Sequence, residues 1–316
     1  MQHIIENLTN WLNQNIVGQQ QLVERLIVAL LADGHLLVEG APGLAKTKAI
    51  KTLSQGLEAD FHRIQFTPDL LPADITGSDI YRPQQGNFEF QAGPLFHNLV
   101  LADEINRAPA KVQSALLEAM AEGQISVGKT TYSLPQLFMV MATQNPIEQE
   151  GTYPLPEAQM DRFLMHVLVD YPNPETERTI LKLSRDEVVG EQQMPEIVTQ
   201  QDLFAARQQV LEVHMADAVE EYLVQLVLAT RNSHTYGGDL AEWLDYGASP
   251  RATIALDRCS RAVAWLNQRD FVTPDDVRNV AHDVLRHRII LSFEAEANGI
   301  SANQVIDKLL ASVPAA

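Results

Sequence analysis

Residues 40–47 read Gly-Ala-Pro-Gly-Leu-Ala-Lys-Thr, and they stand between a short apolar run and a helical pattern. Gly40, Lys46 and Thr47 match the phosphate-binding loop pattern G-x-x-x-x-G-K-[ST], whereas Ala45 stands where that pattern has its second glycine. The alternative interpretation is a Gly-Pro turn followed by an exposed lysine. Because a loop with one mismatch cannot separate the two, the rest of the chain has to decide.

The chemistry of this segment suits a bound phosphate. Glycine allows positive φ and leaves room for oxygen ligands, and successive backbone N–H groups before a helix form an anion cradle. Lys46 would reach the β- and γ-phosphates, and Thr47 would bind Mg²⁺. Alanine suits the first turn of a helix, so alanine at position 45 is a mild departure if that residue already has helical dihedrals. The predicted nucleotide-binding residues of the loop are Gly40, Ala41, Pro42, Gly43, Leu44, Ala45, Lys46 and Thr47.

The first half of the chain alternates apolar runs with helical patterns, which indicates an α/β fold with a mostly parallel sheet. The runs are rich in Leu, Val, Ile, Phe and Met, as suits strands buried on both faces. Two further segments predict β-hairpins inserted into this core, because each has short extended pieces around a glycine. The predicted strands are 35–39, 62–66, 99–103, 138–143 and 163–170, the helices 46–57 and 109–121, and the hairpins 80–91 and 124–134.

The pattern changes after residue 170. Two prolines within residues 171–175 break the chain, and only helical patterns follow, with no convincing strand. We therefore predict an α/β nucleotide-binding core at 1–172, a linker region at 173–198 and an all-helical domain at 199–316. The helices predicted after the break are 175–185, 201–214, 218–231, 249–268 and 273–288.

Two adjacent acids, Asp103 and Glu104, end the apolar run at 99–103. The carboxyl ends of strands are where open α/β sheets bind ligands, and an ATPase needs one carboxylate near the metal and another to orient the attacking water. The alternative is that the two acids form only a solvated turn. A phosphate-binding loop on another strand of the same sheet makes this alternative less favoured. Asn145 ends another run and could hold that water, although turn chemistry before Pro146 explains it equally well.

The composition and charge of the chain restrict its functional class and its cellular location. The 316 residues carry a formal net charge of −18, with 46% hydrophobic and 20% charged residues, which is an ordinary globular composition. The acidic balance argues against a protein that binds nucleic acid. With no signal-peptide pattern and no run of about 18 apolar residues, we expect no integral membrane segment and a cytoplasmic location. The single cysteine, Cys259, is expected in the core.

Five segments of the chain carry a resemblance when they are taken together. They are GAPGLAKT (40–47), DEINRAPAKVQSALLEAM (103–120), ATQNP (142–146), LPEAQMDRF (155–163) and GASPRA (247–252). They resemble the MoxR family of AAA+ ATPases over about residues 17–288, and alanine before the loop lysine is usual in that family. The resemblance implies a P-loop AAA+ core with a parallel sheet and two inserted hairpins, followed by a helical lid domain. It favours nucleotide binding at 40–47 over a simple turn.

The same resemblance assigns roles to single positions around the phosphates. Lys46 and Thr47 correspond to the Walker A residues. Asp103 and Glu104 correspond to Walker B, with Glu104 as the catalytic carboxylate, and Thr47 and Asp103 as the Mg²⁺ ligands. Asn145 corresponds to sensor 1.

Two arginines and one short segment complete the assignment. Val17 and Gly18 fall in a segment similar to the one that lies against adenine. Arg162 corresponds to the arginine finger, which acts on ATP held by a neighbouring subunit; without the resemblance, an internal ion pair with Asp161 or an acid of the lid would be favoured. Arg251 corresponds to sensor 2. A Ser-Pro helix start places Arg251 in the first turn of a helix, where the helix dipole disfavours a cation by about 0.3–1 kcal/mol. A nearby anion would offset this cost, but from position alone an exposed arginine that tolerates the cost is an equally good explanation. The sequence leaves open whether Arg251 acts on its own subunit or on a neighbour.

The resemblance implies a Mg²⁺-dependent ATPase that assembles as a ring, a hexamer, and remodels or activates partner protein complexes as a chaperone. Its clients would include proteins with a von Willebrand factor A domain, and the two hairpins would face the client. The alternative is a motor subunit of a metal chelatase. Less favoured are a nucleic-acid motor, which the acidic charge and the few basic hairpin residues (Arg82 and Lys129) oppose, and a nucleotide-gated scaffold without turnover, which Glu104 and Asn145 oppose.

Overall fold

Five parallel strands form the central sheet of the core, in the spatial order Phe61–Gln65, Leu99–Asp103, Met139–Gln144, Leu36–Gly40 and Met165–Val169. The computed structural model describes residues 2–84, 86–146, 151–186 and 196–315. All five predicted strands are present, with bounds shifted by a few residues, and the predicted parallel sheet is confirmed. The strands are β1 (Leu36–Gly40), β2 (Phe61–Gln65), β5 (Leu99–Asp103), β8 (Met139–Gln144) and β9 (Met165–Val169).

Helices cover both faces of this sheet because successive side chains of a strand point to opposite faces. Leu36 and Val38 of β1 belong to one apolar core, and Leu37 between them belongs to the other. On the first face lie α1 (Gln2–Asn15), α2 (Gln20–Leu31) and α3 (Lys46–Gln55). On the second lie α4 (Pro72–Thr76) and α5 (Ala110–Glu122), and the short α6 (Glu157–Met160) precedes β9.

Both predicted hairpins are confirmed. β3 (Gly77–Arg82) pairs antiparallel with β4 (Asn87–Ala92), and β6 (Gln124–Val127) pairs with β7 (Thr130–Ser133). Each turn contains a glycine with positive φ, 66° at Gly86 and 60° at Gly128. The aromatic rings of Phe90 in β4 and Tyr132 in β7 stack with centroids 3.9 Å apart, so the two hairpins are in contact.

The second half of the chain forms a helical lid, as predicted, but it also contains a short antiparallel pair of strands. The prediction that no strand occurs there is therefore wrong. The pair joins β10 (Leu244–Tyr246) to β11 (Ile290–Leu291). The helices are α7 (Pro174–Asp186), α8 (Gln200–Glu212), α9 (Asp217–Arg231), α10 (Gly238–Trp243), α11 (Pro250–Leu266), α12 (Pro274–Leu285), α13 (Phe293–Ala297) and α14 (Ala302–Ser312).

The lid is fastened to the core through the last turn of α12. Nε of the buried Arg25, on α2, donates a hydrogen bond to a carboxylate oxygen of Asp283 at 2.6 Å, and the same carboxylate accepts one from Arg286 at 2.5 Å. Arg286 also donates to the backbone carbonyl of His166 on β9. These contacts fix the lid against the edge of the sheet.

Three sequence predictions concern the domain boundaries, the single cysteine and the absence of a membrane segment. The domain boundaries at 172 and 198 stay predictions, and residues 187–195 of the predicted linker lie outside the described residues. Cys259 is fully buried, as expected, and burial raises the pKa of its thiol to about 12. Within the described part of the chain, no helix has both the length and the apolar character needed to cross a membrane.

Candidate active site

The loop after β1 has the conformation of an anion cradle. It turns through positive φ at Gly43 (84°) and leads into α3 at Lys46. Gly40 allows the close approach of the neighbouring strand, because a β-carbon there would lie 2.5 Å from the carbonyl oxygen of Val169. Backbone N–H groups and the start of a helix are thereby directed at one cleft.

Ala45 does not have the helical dihedrals that would make it a mild departure from the pattern. Its φ and ψ are 58° and 13°, which is the left-handed conformation. Residue 45 is the N-cap of α3 and does not lie within its first turn. An L-residue in this region costs roughly 1–2 kcal/mol, which is the physical reason that the common pattern has glycine at this position.

Lys46 lies at the centre of the cleft and is 8% exposed. Its Nζ donates to the carbonyl oxygen of Gly40 and, at 3.4 Å, to that of Gln144. Burial lowers the pKa of the ammonium, while the carboxylates of Asp103, Glu104 and Glu39 act in the opposite direction. A partly dehydrated cation facing an open cleft is suited to bind a phosphate.

The cleft has a volume of about 380 Å³ and brings together nearly all the residues predicted around the phosphates. Asp103 and Glu104 leave the carboxyl end of β5, and Asn145, which is 7% exposed, follows β8. The neighbouring β1 contributes the loop, so three adjacent strands supply the site. The lining residues are Pro42, Gly43, Leu44, Ala45, Lys46, Thr47, Lys48, Arg63, Asp103, Glu104, Thr143, Gln144 and Asn145.

Thr143 aligns the acidic pair. Its hydroxyl donates to Oδ1 of Asp103 at 2.6 Å and accepts from the backbone N–H of Glu104 at 2.9 Å. Glu104 has a left-handed backbone conformation, with φ of 57°. Thr143 thus holds the carboxylate of Asp103 and the backbone of Glu104.

Three polar residues that sequence reasoning missed hold these carboxylates. Arg63 donates to Oδ2 of Asp103, and Gln65 and Arg107 each donate to Oε2 of Glu104 at 2.9 Å. Arg63 and Gln65 lie on β2, which pairs with β5. A signal for them existed, since they are polar residues near the carboxyl end of a predicted strand, but the sequence does not say which strand is next to which.

A second, mainly apolar pocket of about 220 Å³ adjoins the loop. The predicted Val17 lines it, and Gly18 lies beside it with φ of 83°, where a β-carbon would come within 2.2 Å of Thr176. This geometry suits an adenine base next to the phosphates. The sequence analysis missed the opposite wall of this pocket. Pro172, the last residue of the predicted core, contributes to it, together with Ile180 and Leu183 from the region predicted as a linker.

Arg162 and Arg251 do not line either pocket. β9 begins three residues after Arg162, and Val169 at its other end pairs with Gly40 of the loop. At about 3.3 Å per residue, β9 alone separates Arg162 from the cleft by roughly 15 Å. Arg251 follows Ser249 and Pro250 at the start of α11, as predicted, and its Nη1 lies 3.4 Å from Oδ2 of Asp161.

The internal ion pair considered for Arg162 is not formed. The carboxylate of Asp161 is bound by Arg288 at 2.8 Å and by Arg251. Across residues 2–84, 86–146, 151–186 and 196–315, no carboxylate lies within ion-pairing distance of Arg162. Its guanidinium is therefore available for an anion outside its own chain.

Comparisons with known proteins agree with this geometry. A family model for the "ATPase family associated with various cellular activities (AAA)" matches residues 35–165, and a model for the AAA lid domain matches residues 240–309. Chaperone MoxR1 of Mycobacterium tuberculosis is 47% identical over 312 residues, which cover 98% of this chain and 82% of the relative. The chain belongs to the MoxR family of AAA+ ATPases.

Two further comparisons cover nearly the whole of this chain. Protein MoxR of Paracoccus denitrificans is 32% identical, with 96% of this chain and 94% of the relative covered. The crystal structure of a candidate ATPase from Cytophaga hutchinsonii superposes with a TM-score of 0.92 at 46% identity, covering 100% of this chain and 96% of the other. A magnesium-chelatase 38 kDa subunit of Chlorobaculum parvum is only 27% identical, so the chelatase alternative is the more distant one. At the level of the family, this places the chain among nucleotide-binding ATPases and chaperones.

Proposed function

We propose that this protein is a Mg²⁺-dependent ATP hydrolase that works as a homo-oligomeric ring, a hexamer, and uses ATP turnover to remodel or activate partner protein complexes. The observation that carries the proposal is the separation of the site into two parts. One part surrounds Lys46, Asp103 and Glu104, and the other, with Arg162 and Arg251, lies at the opposite end of β9. Two copies in head-to-tail contact bring the two parts together, and repetition of that contact closes a ring.

Within one subunit, the cleft binds and orients the substrate. The loop amides and Lys46 bind the phosphates of ATP, and the apolar pocket beside Val17 takes the base. Glu104 orients the attacking water and accepts its proton, while Gln65 and Arg107 hold the carboxylate in place.

The donor set of the same cleft fits Mg²⁺. Thr47 offers a hydroxyl and Asp103 a carboxylate, and such hard oxygen ligands hold this ion together with substrate phosphates. Bound there, the ion would neutralise charge on the phosphates. Among the described residues, no group of three or more His, Cys, Asp or Glu side chains is placed to hold a metal without a substrate.

The neighbouring subunit supplies further positive charge, from arginines that do not line the cleft of their own chain. Arg162 would stabilise charge on the transferred phosphoryl group, which in related phosphoryl-transfer systems contributes roughly 10³–10⁵ in rate. Arg251 lies beside Asp161, next to Arg162, and not at the cleft of its own chain. We assign Arg251 to the neighbour's ATP for the same reason.

The hairpins are proposed to contact the client. Tyr81 and Phe88, in β3 and β4, are 52% and 69% exposed, and their rings lie 5.2 Å apart. An exposed aromatic pair on a short hairpin is suited to bind another protein. Proteins with a von Willebrand factor A domain are clients that the family resemblance suggests.

A subunit-mixing experiment tests the proposal. Arg162→Ala should keep ATP affinity and lose turnover, and Lys46→Ala should lose ATP binding. In randomly mixed rings, about one interface in four joins an intact cleft to an intact Arg162, so part of the activity should return. Full turnover by a demonstrated monomer would overturn the proposal. So would the absence of recovery in rings shown by cross-linking to contain both variants.

A trapping experiment tests the chaperone function and identifies the client. Glu104→Gln should bind ATP without hydrolysing it and stall with the client attached, because the glutamine keeps the shape but not the base. Mass spectrometry of the captured material then names the partner. Capture of the same proteins by Lys46→Ala, which cannot hold nucleotide, would show that client binding does not depend on ATP.

A further inference from the structure

Asp161, the residue before Arg162, connects three parts of the molecule through one carboxylate. Its Oδ1 accepts a hydrogen bond from Nε of Arg288 at 2.8 Å. Its Oδ2 accepts one from Oγ of Ser249 at 2.8 Å and faces Nη1 of Arg251 at 3.4 Å. Ser249 is the N-cap of α11, so the carboxylate joins the end of α6 in the core to the start of α11 in the lid.

Arg288 extends this connection to the backbone around Arg162. Its side chain is only 2% exposed. Besides binding Asp161, its guanidinium donates to the carbonyl oxygens of Phe163 at 2.6 Å and Leu164 at 3.1 Å. The peptide groups that follow Arg162 are thereby fixed, while the Arg162 side chain itself stays free of ion pairs within the described residues.

The contacts to Asp161 differ in strength. The bonds to Arg288 and Ser249 are short, whereas Arg251 is 56% exposed and its contact is long. Short charge-assisted hydrogen bonds are the strong ones. Arg251 can therefore leave Asp161 for an anion outside the chain without disturbing the two bonds that hold the lid to the core.

We infer that Asp161 is a positioning residue for ATP hydrolysis in the neighbouring subunit. It holds Arg162 of the core and Arg251 of the lid in one rigid unit, so that both guanidinium groups are presented together to the nucleotide of the next copy. This inference rests on the proposed ring and its split site. The competing explanation is that Asp161 only neutralises the buried Arg288.

The test uses Asp161→Asn, which keeps the shape and an acceptor oxygen but removes the charge. ATP affinity, measured by binding, should not change, because Asp161 is remote from the cleft. Turnover should fall about 10²-fold, since a misplacement of about 1 Å in a catalytic group has an effect of this size. Unchanged turnover, or a loss of ATP affinity, would overturn the inference.

Mixed rings locate the defect. Asp161→Asn subunits have an intact cleft, so mixing them with Lys46→Ala subunits, which have intact arginines, should restore activity. Mixing them with Arg162→Ala subunits should restore none, because neither variant then offers a complete arginine unit. The reverse pattern would place the defect in the cleft and contradict the inference. The Arg162→Ala and Lys46→Ala mixture serves as the reference, since its failure would count against the ring itself.

A matched control separates positioning from general stability. Asp276 is a buried aspartate that, like Asp161, accepts hydrogen bonds from an arginine, Arg269, and from the hydroxyl of an N-cap residue, Thr273. Asp276→Asn should lower the melting temperature without a subunit-specific loss of turnover. An equal loss of turnover in both variants would mean that Asp161 only stabilises the fold and does not position the arginines.

If Asp161→Asn does not fold, Ser249→Gly replaces it. This variant removes one bond to Asp161, and glycine remains an acceptable N-cap. It should lower turnover with the same mixing pattern, and wild-type turnover in Ser249→Gly rings would count against the inference.

Discussion

Nε and Nη2 of Arg63 lie 3.0 and 2.6 Å from the same oxygen of Asp103, the carboxylate proposed to bind Mg²⁺. Arg63 is on β2, where it pairs with Leu101 of β5, and Asp103 lies two residues further along β5. The guanidinium therefore competes with a metal ion for that oxygen.

Removal of this competitor should strengthen Mg²⁺ binding. The Arg63 side chain is 49% exposed, so its pair with Asp103 contributes about 1 kcal/mol at most. Arg63→Gln should accordingly lower the Mg²⁺ concentration at half-saturation by up to about five-fold. Titration of Mg²⁺ against nucleotide binding and against ATP hydrolysis measures this shift.

A control for the loss of a charge is available in the lid. Arg278 forms a similarly exposed pair with Asp275, at 3.1 Å, and Arg278→Gln should leave the Mg²⁺ requirement unchanged. A higher Mg²⁺ requirement in Arg63→Gln would mean that the guanidinium supports metal binding and does not oppose it.

The backbone of Ala45 leads to a second prediction. Because its φ is 58°, Ala45→Gly relieves a left-handed alanine and should raise the free energy of unfolding by about 1 kcal/mol, without loss of ATP affinity. Ala41, in the same loop, has no such strain, so Ala41→Gly should lower the stability instead. Denaturant unfolding and ATP titration of both variants provide the comparison, and lower stability in Ala45→Gly would contradict the strain argument.

The core of the site could be predicted because its signals are local. Apolar runs followed by a phosphate loop and an acidic pair fix the parallel sheet and place Lys46 and Asp103 at one edge of it. The contribution of Arg63 could not be predicted, since it depends on β2 lying next to β5. Local pattern likewise gave no information on the dihedrals of Ala45, which loop closure determines.

The lid shows the same limit at longer range. The start of α11 at Ser249 and Pro250 was predictable from capping chemistry, but the side of the molecule that Arg251 faces was not. It depends on contacts such as Asp161 with Ser249, which join residues 88 positions apart. The strands β10 and β11 were missed because segments of three and two residues show no readable alternation.

The exposed hairpin aromatics carry a third prediction. Tyr81→Ala and Phe88→Ala should reduce client-stimulated ATP turnover more than basal turnover, because these rings lie at the surface and away from the cleft. Phe90 is the matched control, since it stacks on Tyr132 and holds the two hairpins together. Phe90→Ala should lower the melting temperature as well. Equal losses of basal and stimulated turnover in Tyr81→Ala and Phe88→Ala would mean that these rings serve packing.

The stability of the fold should depend on pH through His35. Its Nδ1 accepts from the backbone N–H of Val140 at 3.1 Å, and its Nε2 lies 3.2 Å from the carbonyl oxygen of Met120. This pairing fits the neutral ring with its proton on Nε2, and the ring packs edge-on against Phe138. Burial lowers the pKa of His35 from its ordinary value of 6.5 to about 4.

Because the pKa of His35 is lowered in the folded protein, protonation of this residue favours the unfolded chain. Between pH 6.5 and about 4 the unfolded chain binds a proton at this residue that the folded chain does not, so the free energy of unfolding falls as the pH falls through that window. The full loss is about 3 kcal/mol, and above pH 6.5 this residue contributes no slope. Urea unfolding at pH 7.5, 6 and 5 measures it.

His35→Asn isolates this contribution, because the asparagine oxygen can still accept from Val140 but does not titrate. The variant should be less stable at pH 7.5 and show a weaker loss towards pH 5 than the wild type. The remaining slope would include His287, whose pKa burial also lowers. Identical slopes for His35→Asn and the wild type would show that His35 is not the group that titrates.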